Sequence, residues 1–311
     1  MKKSTIILLI ICAFSLLSFE YIMIKDYLNF LCIESTYFGQ KAPGKAPIIF
    51  CPNRISIRGY QEYGIHFSSD GREFFFTRSD HKNNAVLMHS KHTTYGWLLP
   101  DSLSIMKQNP RTKFCLSPDG NKLLFVPIKN KHDTLQVYSS ERKPSGWSQP
   151  ILLTNTDLGS SIISICLSNS GNLYFTGDYD ESGKKDIYFS ECINGKYLPP
   201  RNMGESVNSI YSENNVFIAP DESYLIFDSQ RNNTDGESDL YISFRKPDGN
   251  WTKAENLGET INSEFSEWLP YVTPDGKYLF FSRTVQEETD IYWVSADVIM
   301  RHKARYHSQA G

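Results

Sequence analysis

A repeat of about fifty residues constrains this chain more than any other feature. The segments HFSSDGREFFFTR, CLSPDGNKLLFVP, CLSNSGNLYFTGD, FIAPDESYLIFDS and YVTPDGKYLFFSR are five copies of one pattern. Their turn positions are Asp70, Asp119, Ser170, Asp221 and Asp275, spaced 49, 51, 51 and 54 residues apart. Each copy reads as an apolar strand, a polar turn and a second apolar strand. Asp-Gly between two alternating apolar runs specifies a hairpin. A proline one place before the Asp supplies the fixed φ that such a turn uses.

Two further landmarks keep the same period. DIYFS at Asp186, DLYIS at Asp239 and DIYWV at Asp290 read as third strands, with Leu135 to Ser139 (LQVYS) a weaker copy. Trp97, Trp147, Tyr197 and Trp251 recur at spacings of 50, 50 and 54, and Pro100, Pro150 and Pro200 follow the first three of them. These begin a fourth, edge-like strand, where proline is tolerated. Four strands per unit predicts an all-β fold of propeller blades. The last unit stops after its third strand, while APIIFCPNRIS (Ala46 to Ser56) resembles the fourth strands elsewhere. The N-terminal strand is therefore expected to complete the last blade, which removes two open sheet edges. That gives five four-stranded blades, with six as the alternative. The expected core is Phe67, Phe76, Leu116, Phe125, Phe175, Ile218, Phe227, Val272 and Phe281.

The Ser-Pro-Asp-Gly-x-x-Leu-x-Phe hairpin followed by Asp-Ile-Tyr resembles the TolB-like, WD40-like propeller repeat of bacterial envelope proteins. The likeness spans Ala46 to Val298. It implies a periplasmic or cell-envelope binding scaffold, and it says little about what is bound.

Upstream, Lys2 and Lys3 precede the apolar run Thr5 to Phe19, which has the form of an export signal. Residues 1–32 are read as a signal sequence or N-terminal membrane anchor, 33–298 as the propeller and 299–311 as a polar C-terminal tail. Cys12 and Cys32 lack the small preceding residue that a lipidation site uses. With Cys12 in the apolar run set aside, five cysteines remain, with no C-x-x-C spacing, so neither a full disulfide framework nor zinc is expected. The formal net charge of -3 argues against nucleic-acid binding. A mean hydropathy of -0.40 excludes a polytopic membrane protein.

Candidate site residues come from aligning the copies on their turns. Eight residues before each turn stand Glu62, Arg111, Ile162, Glu213 and Glu267. Three carboxylates at one repeat position would converge near the axis and raise one another's pKa or attract a cation. Alternatively, each caps its own loop by accepting backbone N–H groups. Arg78 and Arg283 share a later repeat position and could hold a carboxylate ligand as a bidentate pair, or pair within their own blades. Trp268, beside Glu267, could stack on a sugar ring or pack under its loop. Asp178, Asp180 and Ser182, with Gly183, have the opening spacing of a calcium loop, but Phe189 stands where the closing carboxylate belongs.

Motifs of nucleophilic, metalloprotease or phosphate-binding enzymes are missing. The expectation is an exported, non-enzymatic binding module without a cofactor. It is monomeric and holds an envelope protein or glycan at one mouth of the ring. A carbohydrate-active hydrolase or lyase on the same fold is the alternative.

Overall fold

A computed structural model describes residues 32–33, 36–82, 84–103, 112–127, 137–153, 158, 162–179, 183–231 and 238–309. After a two-residue strand at Cys32–Ile33, antiparallel to Trp97 and Leu98, strand β1 (Ile48–Ile49) opens the propeller and four complete blades follow it. Blade one holds β2 (Gln61–Phe67), β3 (Glu73–Ser79), β4 (Ala85–Thr93) and β5 (Asp101–Ser102). Blade two holds β6 (Thr112–Leu116), β7 (Lys122–Pro127), β8 (Tyr138–Lys143) and β9 (Ile151–Leu152). Blade three holds β10 (Ile162–Leu167), β11 (Leu173–Gly177), β12 (Asp186–Ser190) and β13 (Arg201–Asn202). Blade four holds β14 (Glu213–Ile218), β15 (Tyr224–Ser229), β16 (Asp239–Phe244) and β17 (Glu255–Asn256). Blade five holds β18 (Ser266–Val272), β19 (Tyr278–Val285) and β20 (Glu288–Ser295), and takes β1 as its fourth strand. The chain is a five-bladed β-propeller.

Closure is as the sequence predicts. Ile48 lies opposite Trp293 and Ile49 opposite Tyr292, antiparallel. Phe50 then donates its N–H to the Ile291 carbonyl at 2.7 Å. Its ring is fully buried, 5.1 Å from Phe280 and 5.3 Å from Trp293. All nine expected core residues are buried.

The turns hold themselves by side-chain bonds. In blade one the Ser68 hydroxyl donates to Asp70 Oδ1 at 2.6 Å, and that oxygen also accepts the Arg72 N–H. Ser117 with Asp119 and Thr273 with Asp275 repeat the arrangement. Gly71, Gly120, Gly171 and Gly276 follow with positive φ, which glycine adopts freely. Blade four places Glu222 there instead, at φ +59. Its carboxylate accepts Ser170 Oγ at 2.7 Å, Asn172 Nδ2 at 2.8 Å and Tyr174 Oη at 3.1 Å. The backbone strain is offset by three bonds across the seam to blade three. Glu73 does comparable work between blades one and two, with Arg142 Nη2 at 2.7 Å.

Two elements differ from expectation. The fourth strands are split. Trp97, Trp147 and Tyr197 pair with His92, Arg142 and Cys192 in short hairpins that extend the third strands. Two-residue strands resume after Pro100, Pro150 and Pro200, because a residue without an N–H interrupts the ladder. Most of the stretch read as a polar tail, 299–311, belongs to α1 (Asp297–Gln309), which starts two residues before it. Ser295 Oγ accepts the Asp297 N–H at 3.3 Å, and an acidic first turn suits the positive helix end. The helix buries Val298, Ile299 and His302. His302 Nδ1 lies 3.0 Å from Glu255 Oε2, so the helix covers blade four.

Candidate functional site

The innermost strands of the blades determine what reaches the propeller axis. Glu62, Glu213 and Glu267 do not. All three are 0 % exposed, and each is locked inside its own blade. Glu62 Oε1 accepts Arg78 Nε at 2.7 Å, and Glu267 Oε1 accepts Arg283 Nε at 2.6 Å. Glu213 Oε1 accepts Arg231 Nη2 at 2.9 Å. The second carboxylate oxygens accept backbone N–H groups of Ile57, Ser209 and Ser263. Each arginine also donates to a carbonyl in the same loop, of Ile55, Val207 or Ile261. Burial pushes the Glu62 and Glu267 carboxyls up, while the arginine and loop donors pull them down.

Of the two readings given above, the geometry matches the second: the three carboxylates are loop locks and form no ring at the mouth. Arg78 and Arg283 likewise pair within their own blades: their guanidinium groups are committed to Glu62 and Glu267 and are not available as a ligand clamp. Sequence alignment missed Arg231, because it lies two places beyond the shared position, where Ser229 stands. The signal was an arginine in or just past the second strand, sixteen to eighteen residues after each glutamate. In blade three Ile162 fills the glutamate position with a buried apolar side chain. Arg111 lies outside the described residues.

What faces the axis is the position two residues further on: Gly64, Lys113, Ser164, Asn215 and Leu269. A bulge follows the glutamate position in blades one, four and five and re-aims the chain there. Lys113 Nζ reaches Asn215 Oδ1 at 3.2 Å. Their strands belong to blades two and four, which are not neighbours, so this bond crosses the axis. Asn215 also donates from Nδ2 to Asp228 Oδ1 at 2.8 Å, and Asp228 is 1 % exposed.

Two residues further again, His66, Cys115, Cys166, Phe217 and Tyr271 form a second layer. The Tyr271 ring lies 4.8 Å from His66 and 5.7 Å from Phe217. Burial lowers the His66 pKa to about 3, so the imidazole is neutral. The neighbouring Cys166 thiol and burial together raise that of Cys115. Below this layer, on the side of the Asp-Gly turns, lies a small recess of about 240 Å³.

The opposite mouth holds the richer chemistry. Lys113, Lys185, Asn215, Asp228, Ser266 and Trp268 line a recess of about 350 Å³. Trp268, the one sequence candidate placed here, is half-buried. Its ring lies 5.3 Å from that of Tyr63, and its indole N–H donates to Thr284 Oγ1 at 3.0 Å. Burial lowers Lys113 to about 8 against the attraction of Asp228, and raises Asp228 to about 6 against its hydrogen bonds from Asn215. Sequence reading missed these residues, since nothing in the repeat marks the position after a bulge.

The Asp228 shift has a measurable consequence. Its carboxyl titrates near 3.8 when unfolded and near 6 when folded. Between those values the folded state holds more protons, so this group's contribution falls as pH rises from 4 to 6, by at most about 3 kcal/mol. Asp228→Asn is expected to flatten that part of the stability profile. Melting temperatures of both proteins across the window measure it, and an identical slope would show that Asp228 keeps its ordinary pKa.

The proposed calcium loop falls partly outside the described residues, which exclude Asp180 and Ser182. Asp178 accepts the Gly183 N–H at 2.8 Å, as a turn residue does. Among the described residues no group of three His, Cys, Asp or Glu side chains could hold a metal. Cys51, Cys115, Cys166 and Cys192 are free thiols.

No family model matches the chain. No curated protein matches it either. Among solved structures, it is similar to the putative TolB of Agrobacterium tumefaciens at 17% identity and TM-score 0.49, covering 76% of this chain and 78% of that one. TolB from Acinetobacter baumannii matches at 14% identity and TM-score 0.47 over 75% of this chain. That match covers 53% of the Acinetobacter protein, about half its length. An oligogalacturonate lyase from Vibrio parahaemolyticus matches at 12% identity and TM-score 0.41, covering 85% and 91% of the two chains. TolB, whose repeat the hairpins resemble, and a lyase are thus both among the structural neighbours.

Proposed function

We propose that this propeller is an exported, non-enzymatic binding module of the cell envelope, and that its ligand enters the mouth lined by Lys113, Lys185, Asp228 and Trp268. The observation that supports this reading is the buried Asp228 beside Lys113 in an open recess with aromatic and cationic walls. A buried charge that burial disfavours, next to a second perturbed group in a cleft, is characteristic of functional sites. The basic start and apolar run of residues 1–19 support export. Among the described residues, no helix is long and apolar enough to cross a membrane.

Crosslinking in intact cells, followed by capture of the tagged protein, tests the proposal. An envelope protein or glycan recovered with the native chain should fall at least about tenfold in yield with Trp268→Ala, the weight of an aromatic anchor at the centre of a contact. Recovery unchanged in both Trp268→Ala and Lys185→Glu would place binding elsewhere.

A second reading is favoured by the same pair. A carboxyl raised towards neutrality and an amine lowered towards it are what general acid–base chemistry uses. Under that reading the chain acts on a polysaccharide. New chain ends would then appear on incubation with the polymer and disappear with Asp228→Asn.

A further inference from the structure

A third cavity lies on the face of the Asp-Gly turns, at the seam where blade five meets blade one. It measures about 350 Å³, within the range of small-molecule sites. Its walls are aromatic: Tyr37, Phe67, His92 and Trp97 all line it. Tyr37 and Phe38 pass over this seam with φ of +51 and +55, a conformation side-chain-bearing residues seldom take. That backbone sets the Tyr37 ring 5.3 Å from Tyr278 and 4.9 Å from Trp293, while Phe38 stacks on Trp97 at 5.3 Å. One aromatic wall of the cavity is therefore built by chain that lies outside the blade repeats.

The rim carries donors and acceptors of different status. Asp70 and Asp275 line the cavity, and both pKa values are lowered, with Ser68 and Thr273 among the donors that hold them ionised. Asp275 also meets Lys277 at 3.0 Å. Against these stand three donors: the Arg72 guanidinium, the Tyr37 hydroxyl and the Trp97 indole N–H. The Trp97 indole N–H is buried at 4 % exposure and has no hydrogen-bond partner among the described residues, while Arg72 is exposed and Tyr37 half-buried, so both can turn to a ligand. A buried donor left unpaired is costly, so an acceptor supplied by a ligand would be rewarded.

Charge narrows the ligand class. Of the two carboxylates, Asp70 faces Arg72 on the rim and Asp275 is paired by Lys277 from outside the cavity, so little net field is left to select an ion. Flat aromatic walls, an unpaired donor and carboxylates with spare lone pairs suit a molecule with an apolar face and a rim of hydroxyl or carbonyl groups. We infer that this seam cavity binds a neutral saccharide unit, stacked on Tyr37 and bonded by the Trp97 indole N–H, Arg72, Asp70 and Asp275. The site is independent of the mouth at Trp268, and its failure would leave that reading untouched.

Calorimetric titration of the full chain with N-acetylglucosamine and with glucose, and in parallel with choline and with benzoate, tests the inference. One of the two neutral sugars should bind, and neither ion should bind more tightly. Arg72→Met and Tyr37→Phe, which alter an exposed side chain and a single hydroxyl, should each weaken that binding about threefold to tenfold, the worth of a hydrogen bond. Trp268→Ala should leave it unchanged. Tighter binding of choline would make the cavity a cation cage, and tighter binding of benzoate an anion site; either overturns the proposal. So would sugar affinity that both seam variants leave intact, or no heat with either sugar at millimolar concentration.

Discussion

Removing residues 1–50 is expected to abolish the single cooperative unfolding transition of this protein. Blade five would lose its fourth strand, exposing the edge of β20 along Ile291, Tyr292 and Trp293. It would also lose the Phe50 ring, which fills the space between Phe74, Phe280 and Trp293. A ring held by one noncovalent closure opens when the closing strand is absent, and an open, apolar edge pairs with other chains. The truncated protein should therefore aggregate on expression or melt well below the full chain. The point substitution Phe50→Ala isolates the packing contribution. A fully buried phenylalanine cut to alanine costs about 3–5 kcal/mol, which at this size lowers the melting temperature by about 6–10 °C. A truncated protein that melts cooperatively within a few degrees of the intact one would show that closure is supplied elsewhere.

Breaking a glutamate–arginine lock should be nearly as severe. Arg283→Met leaves Glu267 at 0 % exposure without its cation, and it removes the donor to the Ile261 carbonyl. Stranding one member of a buried pair typically costs about 3–5 kcal/mol. The double variant Glu267→Gln with Arg283→Met should recover part of that loss, because the remaining side chain is neutral, its oxygen can still accept from Ser263 N, and its amide can donate to Ser263 Oγ. Urea unfolding of the single and double variants measures the difference. A single variant that loses less than about 1 kcal/mol would mean the pair behaves as a surface ion pair. The same test on Arg231→Met checks that the blade-four lock, with its displaced arginine, is equivalent.

The sequence by itself determined the number of blades, the hairpin turns, the buried strand residues and the strand that closes the ring. The physical reason is that these depend on local signals repeated in phase. An Asp-Gly turn bonds within a few residues of itself, and a strand's burial follows from its own alternation. Even the closing strand was legible, because the last unit lacks a strand and the N-terminus has one to spare.

Tertiary structure alone decided which side chains reach the axis. Aligning the copies left open whether Glu62, Glu213 and Glu267 lie there or cap their own loops; a bulge after that position turns the glutamates into the blades and brings Lys113 and Asn215 together across the ring. A shift of one residue exchanges the two faces of a strand, and no residue type in the repeat announces it. Arg231 was hidden for a similar reason, since its side chain reaches from two places further along to the same carboxylate. The α1 helix has too short an apolar pattern, Val298 and Ile299, to stand out before blade four is present to cover it. The seam cavity joins Tyr37, Trp97 and Asp275, residues from opposite ends of the chain that become neighbours only when the ring closes.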